Sequence, residues 1–258
     1  MTTGSRPDGS APLATQATGR GDRVVLLHGF TQTARCWGPL ATALAEDHEV
    51  VAVDLPGHGG SAAVETGIEV STGLIADAGG AGTYVGYSLG GRFALRLALD
   101  RPDVVERLVL IGASPGLTDA DERATRRAAD DALAAKVQAV GVAAFVRDWL
   151  ALPLFAGIPA DLRFEAERCT NTADGLASSL HLSGTGAQEP LWDRLGELLV
   201  PVLLVTGGDD AKFTAIAAAM AEAIPAAEHV VVDGAGHTVH LEQPEVATTA
   251  VRDWLVPR

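Results

Sequence analysis

Six short apolar runs punctuate the chain, and they constrain its fold more than any other feature. They are residues 23–27 (RVVLL), 50–53 (VVAV), 83–87 (TYVGY), 107–111 (RLVLI), 202–206 (VLLVT) and 228–232 (EHVVV). Runs of this length that are continuous rather than alternating predict strands covered on both faces. Segments of helical character stand between and after them, at residues 37–45, 90–99, 213–224 and 244–255. Strand–helix alternation predicts an α/β protein with a doubly wound, mostly parallel sheet. At 258 residues the chain can bury such a core without metal or disulfide staples.

The alternation breaks once. About ninety residues between Ile111 and Val202 hold no strand-like run and read as helices at 119–140, 143–150, 161–169 and 174–182. A helical insertion in a parallel-sheet protein sits over the carboxyl ends of the strands, where ligands bind. The expected organisation is therefore a flexible amino-terminal tail over 1–20, an α/β core over 21–114 and 191–258, and a helical cap over 115–190. A weak edge strand is expected near 11–18. The glycine-rich stretch before the third apolar run (STGLIADAGGAG) predicts a stunted helix there.

Charge narrows the function. Lys and Arg total 19 against 33 Asp and Glu, a formal net charge of −14. Such a chain repels nucleic acid and anionic membrane surfaces, so neither is expected as a partner. An anionic substrate would need individually placed cations to overcome that field. The two cysteines, Cys36 and Cys169, read as reduced thiols. The amino terminus lacks the basic start and apolar stretch of a signal peptide, and no run approaches the ~20 apolar residues of a membrane span. A cytoplasmic protein is expected, a monomer or weak homo-oligomer.

The chemistry-bearing signal is Gly86-Tyr87-Ser88-Leu89-Gly90. An apolar strand precedes it and an amphipathic helix follows. In a tight strand-to-helix turn the serine hydroxyl stands exposed at a helix amino terminus, and glycines on either side remove side chains that would clash. Serine needs a base, and the base an orienting carboxylate. His237, in the loop after the last strand, lies on the same edge of the sheet as Ser88. His240 reads as a residue that begins or caps the final helix. His48, His181 and His229 read as surface or packing residues, and His28 and His58 as residues that shape the site. The acid should follow the penultimate strand, where Asp209 and Asp210 both stand; the turn length favours Asp210. Backbone N–H groups of Leu89 and of Phe30, in the loop after the first of these runs, are the expected oxyanion hole.

Cations complete the reading. Arg92 lies one helical turn after Ser88 in a mostly apolar helix (FALRLAL). Arg123, Arg126 and Arg127 share one face of the first cap helix. Trp149, Arg168 and Lys212 are further candidates. The cap holds seven basic and eleven acidic side chains, so any anion site in it must be local.

With these residues in place the chain resembles the α/β-hydrolase superfamily, and in more detail one family within it. Leu27-His28-Gly29-Phe30, Val53-Asp54-Leu55-Pro56-Gly57-His58-Gly59-Gly60-Ser61 and Val85-Gly86-Tyr87-Ser88-Leu89-Gly90-Gly91-Arg92 carry the resemblance. So do Ser114-Pro115-Gly116-Leu117, Asp210-Ala211-Lys212-Phe213, and Gly236-His237 with His240 and Glu242 behind it. The family is 2-succinyl-6-hydroxy-2,4-cyclohexadiene-1-carboxylate synthase, of menaquinone biosynthesis. The resemblance implies a lyase that eliminates pyruvate from a tricarboxylate cyclohexene, using Ser88, His237 and Asp210 as a base without metal or organic cofactor. It places Tyr87, Arg92, Arg126, Trp149 and Arg168 at the substrate. The alternatives are a serine hydrolase of a small carboxylated substrate (esterase, enol-lactonase or C–C hydrolase) and a non-catalytic relative, against which the intact Ser-Asp-His set argues.

Overall fold

Residues 12–256 are described here from a computed structural model. Every apolar run forms a strand to within two residues. The strands are β1 (Thr15–Gly19), β2 (Asp22–Leu27), β3 (His48–Val53), β4 (Gly82–Tyr87), β5 (Val105–Ile111), β6 (Val202–Gly207) and β7 (Ala227–Val232). They form one sheet in the order β1-β3-β2-β4-β5-β6-β7, parallel throughout except for β1 against β3. Of the tail expected over 1–20, residues 1–11 lie outside the described residues. Within the rest, Thr15–Gly19 is not a loose tail but an edge strand paired with Glu49–Val53, which agrees with the weak edge strand expected near 11–18.

The helices are α1 (Pro39–Leu44), α2 (Ile68–Gly79), α3 (Leu89–Asp100), α4 (Ala120–Val140), α5 (Val142–Leu150), α6 (Glu165–Arg168), α7 (Ala173–Ser183), α8 (Ala211–Ala223), α9 (Val239–Glu242) and α10 (Pro244–Leu255). Successive strand residues point to opposite faces. Val25 and Leu27 therefore join Leu74, Ile75, Phe93 and Met220 in one core. Val24 and Leu26 join Leu40, Leu44, Val251 and Trp254 in the other. Apolar cover on both faces is why these strands do not alternate in sequence.

Two local expectations fail. The helix before β4 is not stunted: α2 runs twelve residues. Ile68, Leu74, Ile75 and Ala76 anchor it in the core, and its glycines permit rather than prevent it. A Cβ on Gly79 would lie 2.6 Å from the Tyr84 hydroxyl and 2.9 Å from Val25, so only glycine allows this close approach to the sheet. The helix expected over 161–169 is instead a 3-10 turn at Ala160–Leu162 and the short α6, separated by Phe164 in the left-handed region at φ 50°. That break seats Phe164 against the cluster of Phe155, Ile158 and Leu241.

Helices α4 to α7 fill the connection between β5 and β6. Asp119 caps α4, accepting the Glu122 N–H at 2.8 Å, and Gly141 ends it at φ 78°. Ala134 and Val137 of α4 pack on Leu176 and Leu180 of α7 with Phe145 of α5 between them. Phe30 packs against both this cluster and the sheet core. From β2 the chain turns to β3 on one side and then to β4 on the other. The carboxyl ends of β2 and β4 thus form the switch point where open α/β sheets bind ligands.

Candidate active site

Ser88 follows β4 and opens α3 with φ 49° and ψ −107°, a backbone that costs a non-glycine residue about 1–3 kcal/mol. The neighbouring glycines make room for it. A Cβ on Gly86 would sit 2.5 Å from Gly90 O, and one on Gly90 1.8 Å from Leu27 O. The Ser88 N–H donates to Ile111 O at 2.9 Å, tying the turn to β5.

Ser88 Oγ stands 3.2 Å from His237 Nε2, and His237 Nδ1 stands 2.8 Å from Asp210 Oδ2. His237 is 4% exposed. Burial alone would raise the Asp210 carboxyl, but the hydrogen bond with His237 and the Phe213 N–H outweigh it and hold the group below its ordinary range. Asp209, the rival acid, is exposed, and only its backbone is engaged, with its N–H on Ala235 O. The histidine loop is bracketed by Glu242, whose two oxygens accept the N–H groups of Gly236 at 2.7 Å and Thr238 at 2.8 Å. Tyr87 hydrogen-bonds Thr238 Oγ1 at 2.9 Å, and burial pushes its phenol well above the ordinary range.

Phe30, in the loop after β2, and Leu89, at the start of α3, line the same cavity as Ser88, and their N–H groups make no hydrogen bond among the described residues. Beneath the Phe30 loop, His28 accepts the Leu55 N–H on Nε2 at 3.0 Å and so donates from Nδ1 to Gly29 O at 2.8 Å. Burial lowers its pKa to about 4, and that of His58, edge-on to Phe30, to about 3. His240 does not begin the last helix. It lies in α9, fully buried between Trp37 and Tyr87, and burial lowers its pKa to about 3.

A cavity of about 1380 Å³ opens above Ser88, between the sheet and helices α4 to α7. Tyr87, Arg92, Arg126, Trp149, Arg168 and Lys212 all line it; Arg123 and Arg127 do not. Arg92 is 8% exposed and donates to Gln188 Oε1 at 3.1 Å. Burial, and then the nearby Arg126, lower its pKa to about 10. Arg126 pairs with the fully buried Asp130 at 2.8 Å. Arg168 is 2% exposed and engaged by the protein itself, through Arg163 O and Thr31 Oγ1. The buried indole N–H of Trp149 has no partner among the described residues. Arg123 instead donates to the carbonyls of Leu117 and Thr118, and Arg127 pairs with Asp131. Sequence reasoning missed Asp130 and Gln188. The i, i+4 spacing from Arg126 was a usable signal for the first, whereas Gln188, 96 residues from Arg92, gave none.

Among the described residues no cluster of three or more His, Cys, Asp or Glu could hold a metal, and no helix is long and apolar enough to cross a membrane. Both cysteines are free.

The α/β hydrolase family matches residues 24–250. The 2-succinyl-6-hydroxy-2,4-cyclohexadiene-1-carboxylate synthase of Escherichia coli O1:K1 is 35% identical over 231 residues, 86% of this chain and 88% of that protein. A Bacillus subtilis (strain 168) relative assigned to the same synthase family is 36% identical over 94% of this chain and 93% of its own length. The structure of MenH from S. aureus superposes with a TM-score of 0.86 at 32% identity, covering 93% of this chain and 97% of that one. By sequence and by fold, the chain belongs to the α/β-hydrolase family and, within it, to the 2-succinyl-6-hydroxy-2,4-cyclohexadiene-1-carboxylate synthases.

Proposed function

We infer that the protein is a cytoplasmic lyase that eliminates pyruvate from 2-succinyl-5-enolpyruvyl-6-hydroxy-3-cyclohexene-1-carboxylate, giving 2-succinyl-6-hydroxy-2,4-cyclohexadiene-1-carboxylate for menaquinone biosynthesis. One observation carries this reading beyond family membership. Arg92, Arg168 and Lys212 line the cavity of Ser88 and form no ion pair among the described residues. In a chain of net charge −14, three such cations facing one cavity match a substrate with three carboxylates. Arg126, paired with Asp130, lines the same cavity. Tyr87 and Trp149 complete the substrate wall.

Ser88, deprotonated through His237 and oriented by Asp210, removes the ring proton next to the succinyl ketone. The electron pair moves into the ketone, and the resulting enolate oxygen is held by the Phe30 and Leu89 N–H groups. When the ketone re-forms, the conjugated electrons expel the enolpyruvyl oxygen. The C–O bond breaks, the leaving enol takes a proton and becomes pyruvate. No water is consumed and no acyl-enzyme forms. Base, oxyanion hole and cations cover each step, so neither metal nor organic cofactor is required.

The test is pyruvate release by the purified protein, measured against an enzyme-free control. Release far above the control, abolished in both Ser88→Ala and Arg92→Ala, supports the reading. Release at the control rate, with p-nitrophenyl acetate still cleaved in a Ser88-dependent way, overturns it in favour of a serine hydrolase.

A further inference from the structure

Thr31, directly after Phe30, has φ 67° and is fully buried. A β-branched residue in the left-handed region is strained and persists only where its surroundings hold it. The holding groups come from the cap, about 140 residues away. Asn171 Nδ2 donates to Thr31 O at 2.8 Å and to Arg168 O at 2.9 Å. Asn171 Oδ1 accepts the Gly59 N–H at 2.8 Å. Arg168 Nη1 donates to Thr31 Oγ1, and Thr33 Oγ1 donates to Glu167 Oε1 at 2.8 Å. The stretch from Glu167 to Asn171 is thereby stitched to the loop after β2.

We propose that Asn171 is a positioning residue for the reaction: with Arg168 it holds Thr31 in its left-handed backbone and so aims the Phe30 N–H at the oxygen that takes up charge. The proposal rests on the oxyanion role given to Phe30 above. Gly29 and Gln32 are tied to each other by two hydrogen bonds, Gly29 N–H to Gln32 Oε1 at 2.9 Å and Gln32 N–H to Gly29 O at 3.1 Å. Any relaxation of Thr31 must therefore be absorbed between them, by the dihedrals of Phe30. A donor turned away from the developing oxyanion is a donor lost, and one such loss costs about 10²–10³ in kcat. Removing one of the two pins on Thr31 misaims the donor in only part of the population, so about 10-fold or more is expected.

The experiment is a double-substitution cycle on the whole chain. Asn171→Ala lowers kcat for pyruvate release about 10-fold or more, with KM within about 3-fold. Glycine adopts positive φ without penalty, so in a Thr31→Gly background the loop no longer needs the latch. There Asn171→Ala costs no more than about 3-fold. Asn171→Asp is isosteric and keeps the acceptor for Gly59 while losing the donor to Thr31 O. It repeats the result should the alanine variant fail to fold. The same variants are assayed for the rate at which a fluorophosphonate modifies Ser88, a reaction that uses the same N–H pair but no tricarboxylate. A parallel loss there supports the latch even if pyruvate release by the parent protein proves absent, so the two readings fail separately. Equal losses in the parent and Thr31→Gly backgrounds, a loss confined to KM, or unchanged fluorophosphonate rates would overturn the proposal.

Discussion

Around Ser88 the chain is held by backbone: Gly86 and Gly90 sit where any side chain would strike a main-chain atom, and Ser88 itself is bonded through its N–H to β5. Around Arg92, Arg126 and Arg168 it is held by side chains: Gln188, the buried Asp130, and the Thr31 hydroxyl. The elbow is rigid because the sheet leaves it no alternative, and it is indifferent to which substrate arrives. The cation set is assembled from distant segments by hydrogen bonds that can be re-cut. Reaction chemistry and substrate choice thus rest on separable parts of the molecule, and substitutions should separate them.

The largest expected effect is on the elbow. Ser88→Ala should lower pyruvate release by about 10³-fold or more, the scale of losing a triad nucleophile. Its binding of the tricarboxylate, read as a thermal shift, should survive because the cations are untouched. Loss of binding together with turnover would show that the two regions are one unit.

Arg92→Ala is the reverse experiment. Its guanidinium is buried and meets only an uncharged amide, so its loss removes a charge-assisted contact to substrate without stranding a carboxylate. We expect kcat/KM on the tricarboxylate to fall about 10²-fold. Cleavage of a small neutral ester should stay within about 3-fold. Equal losses on both would make Arg92 a structural part of the elbow helix and remove the main support for an anionic substrate.

How legible each region was follows from the same difference. The strands, the Ser88 turn and the His237 loop could be read because each is set by residues adjacent in sequence: an apolar run, a glycine, then the reactive side chain. The choice of Asp210 over Asp209 was readable from turn length alone. The cap was legible only in outline. Arg123, Arg126 and Arg127 share a helical face in sequence, yet only Arg126 reaches the cavity, because Asp130 lies one turn on and fully buried while Arg123 meets carbonyls and Arg127 the exposed Asp131. The failed helix over 161–169 has the same cause. Its local pattern is helical, but tertiary packing of Phe164 against Leu241 wins. Thr31 in the left-handed region was invisible, since nothing in a threonine announces positive φ.

Acid should weaken the core rather than the cap. His28, His58 and His240 are buried with pKa values of about 4, 3 and 3, below the ordinary 6.5 of the unfolded chain. As pH falls below about 6.5 the unfolded state takes up protons first, so stability drops. The loss is about 1.5 kcal/mol per histidine between pH 6.5 and 5, and it is complete only below the folded values. Urea unfolding at pH 7 and pH 5 measures it, and His240→Phe should flatten the slope by one histidine's share. A slope unchanged by that substitution would place the acid-sensitive groups elsewhere.

Glu242→Gln should cost about 10-fold in kcat, alike on tricarboxylate and neutral ester, because one of the two acceptors bracketing His237 becomes an amino group facing an N–H. An effect on the tricarboxylate alone would tie Glu242 to substrate recognition. A side chain added at Gly157 of the cap connection would approach Glu242 to 2.2 Å, so that outcome would mean the cap acts through the histidine loop.

The smallest effect belongs to Arg127, and it tests where the cavity ends. Arg127 is adjacent to Arg126 on α4 and equally charged, but its side chain is 47% exposed and lies 3.7 Å from Asp131, itself 48% exposed. Asp131 also has His181 at 2.8 Å, so removing Arg127 leaves it neither buried nor without a neighbour. An exposed pair of this kind contributes little to stability, and added salt screens it further. Arg127→Ala should therefore leave kcat/KM within about 2-fold, whereas Arg126→Ala both removes a cavity cation and strands the buried Asp130. Were the two substitutions to cost the same, the substrate would be sensing the net charge of α4 rather than one placed guanidinium. Raising the ionic strength would then erase both effects together, because a diffuse field is screened over about 10 Å at 0.1 M salt and a direct contact is not.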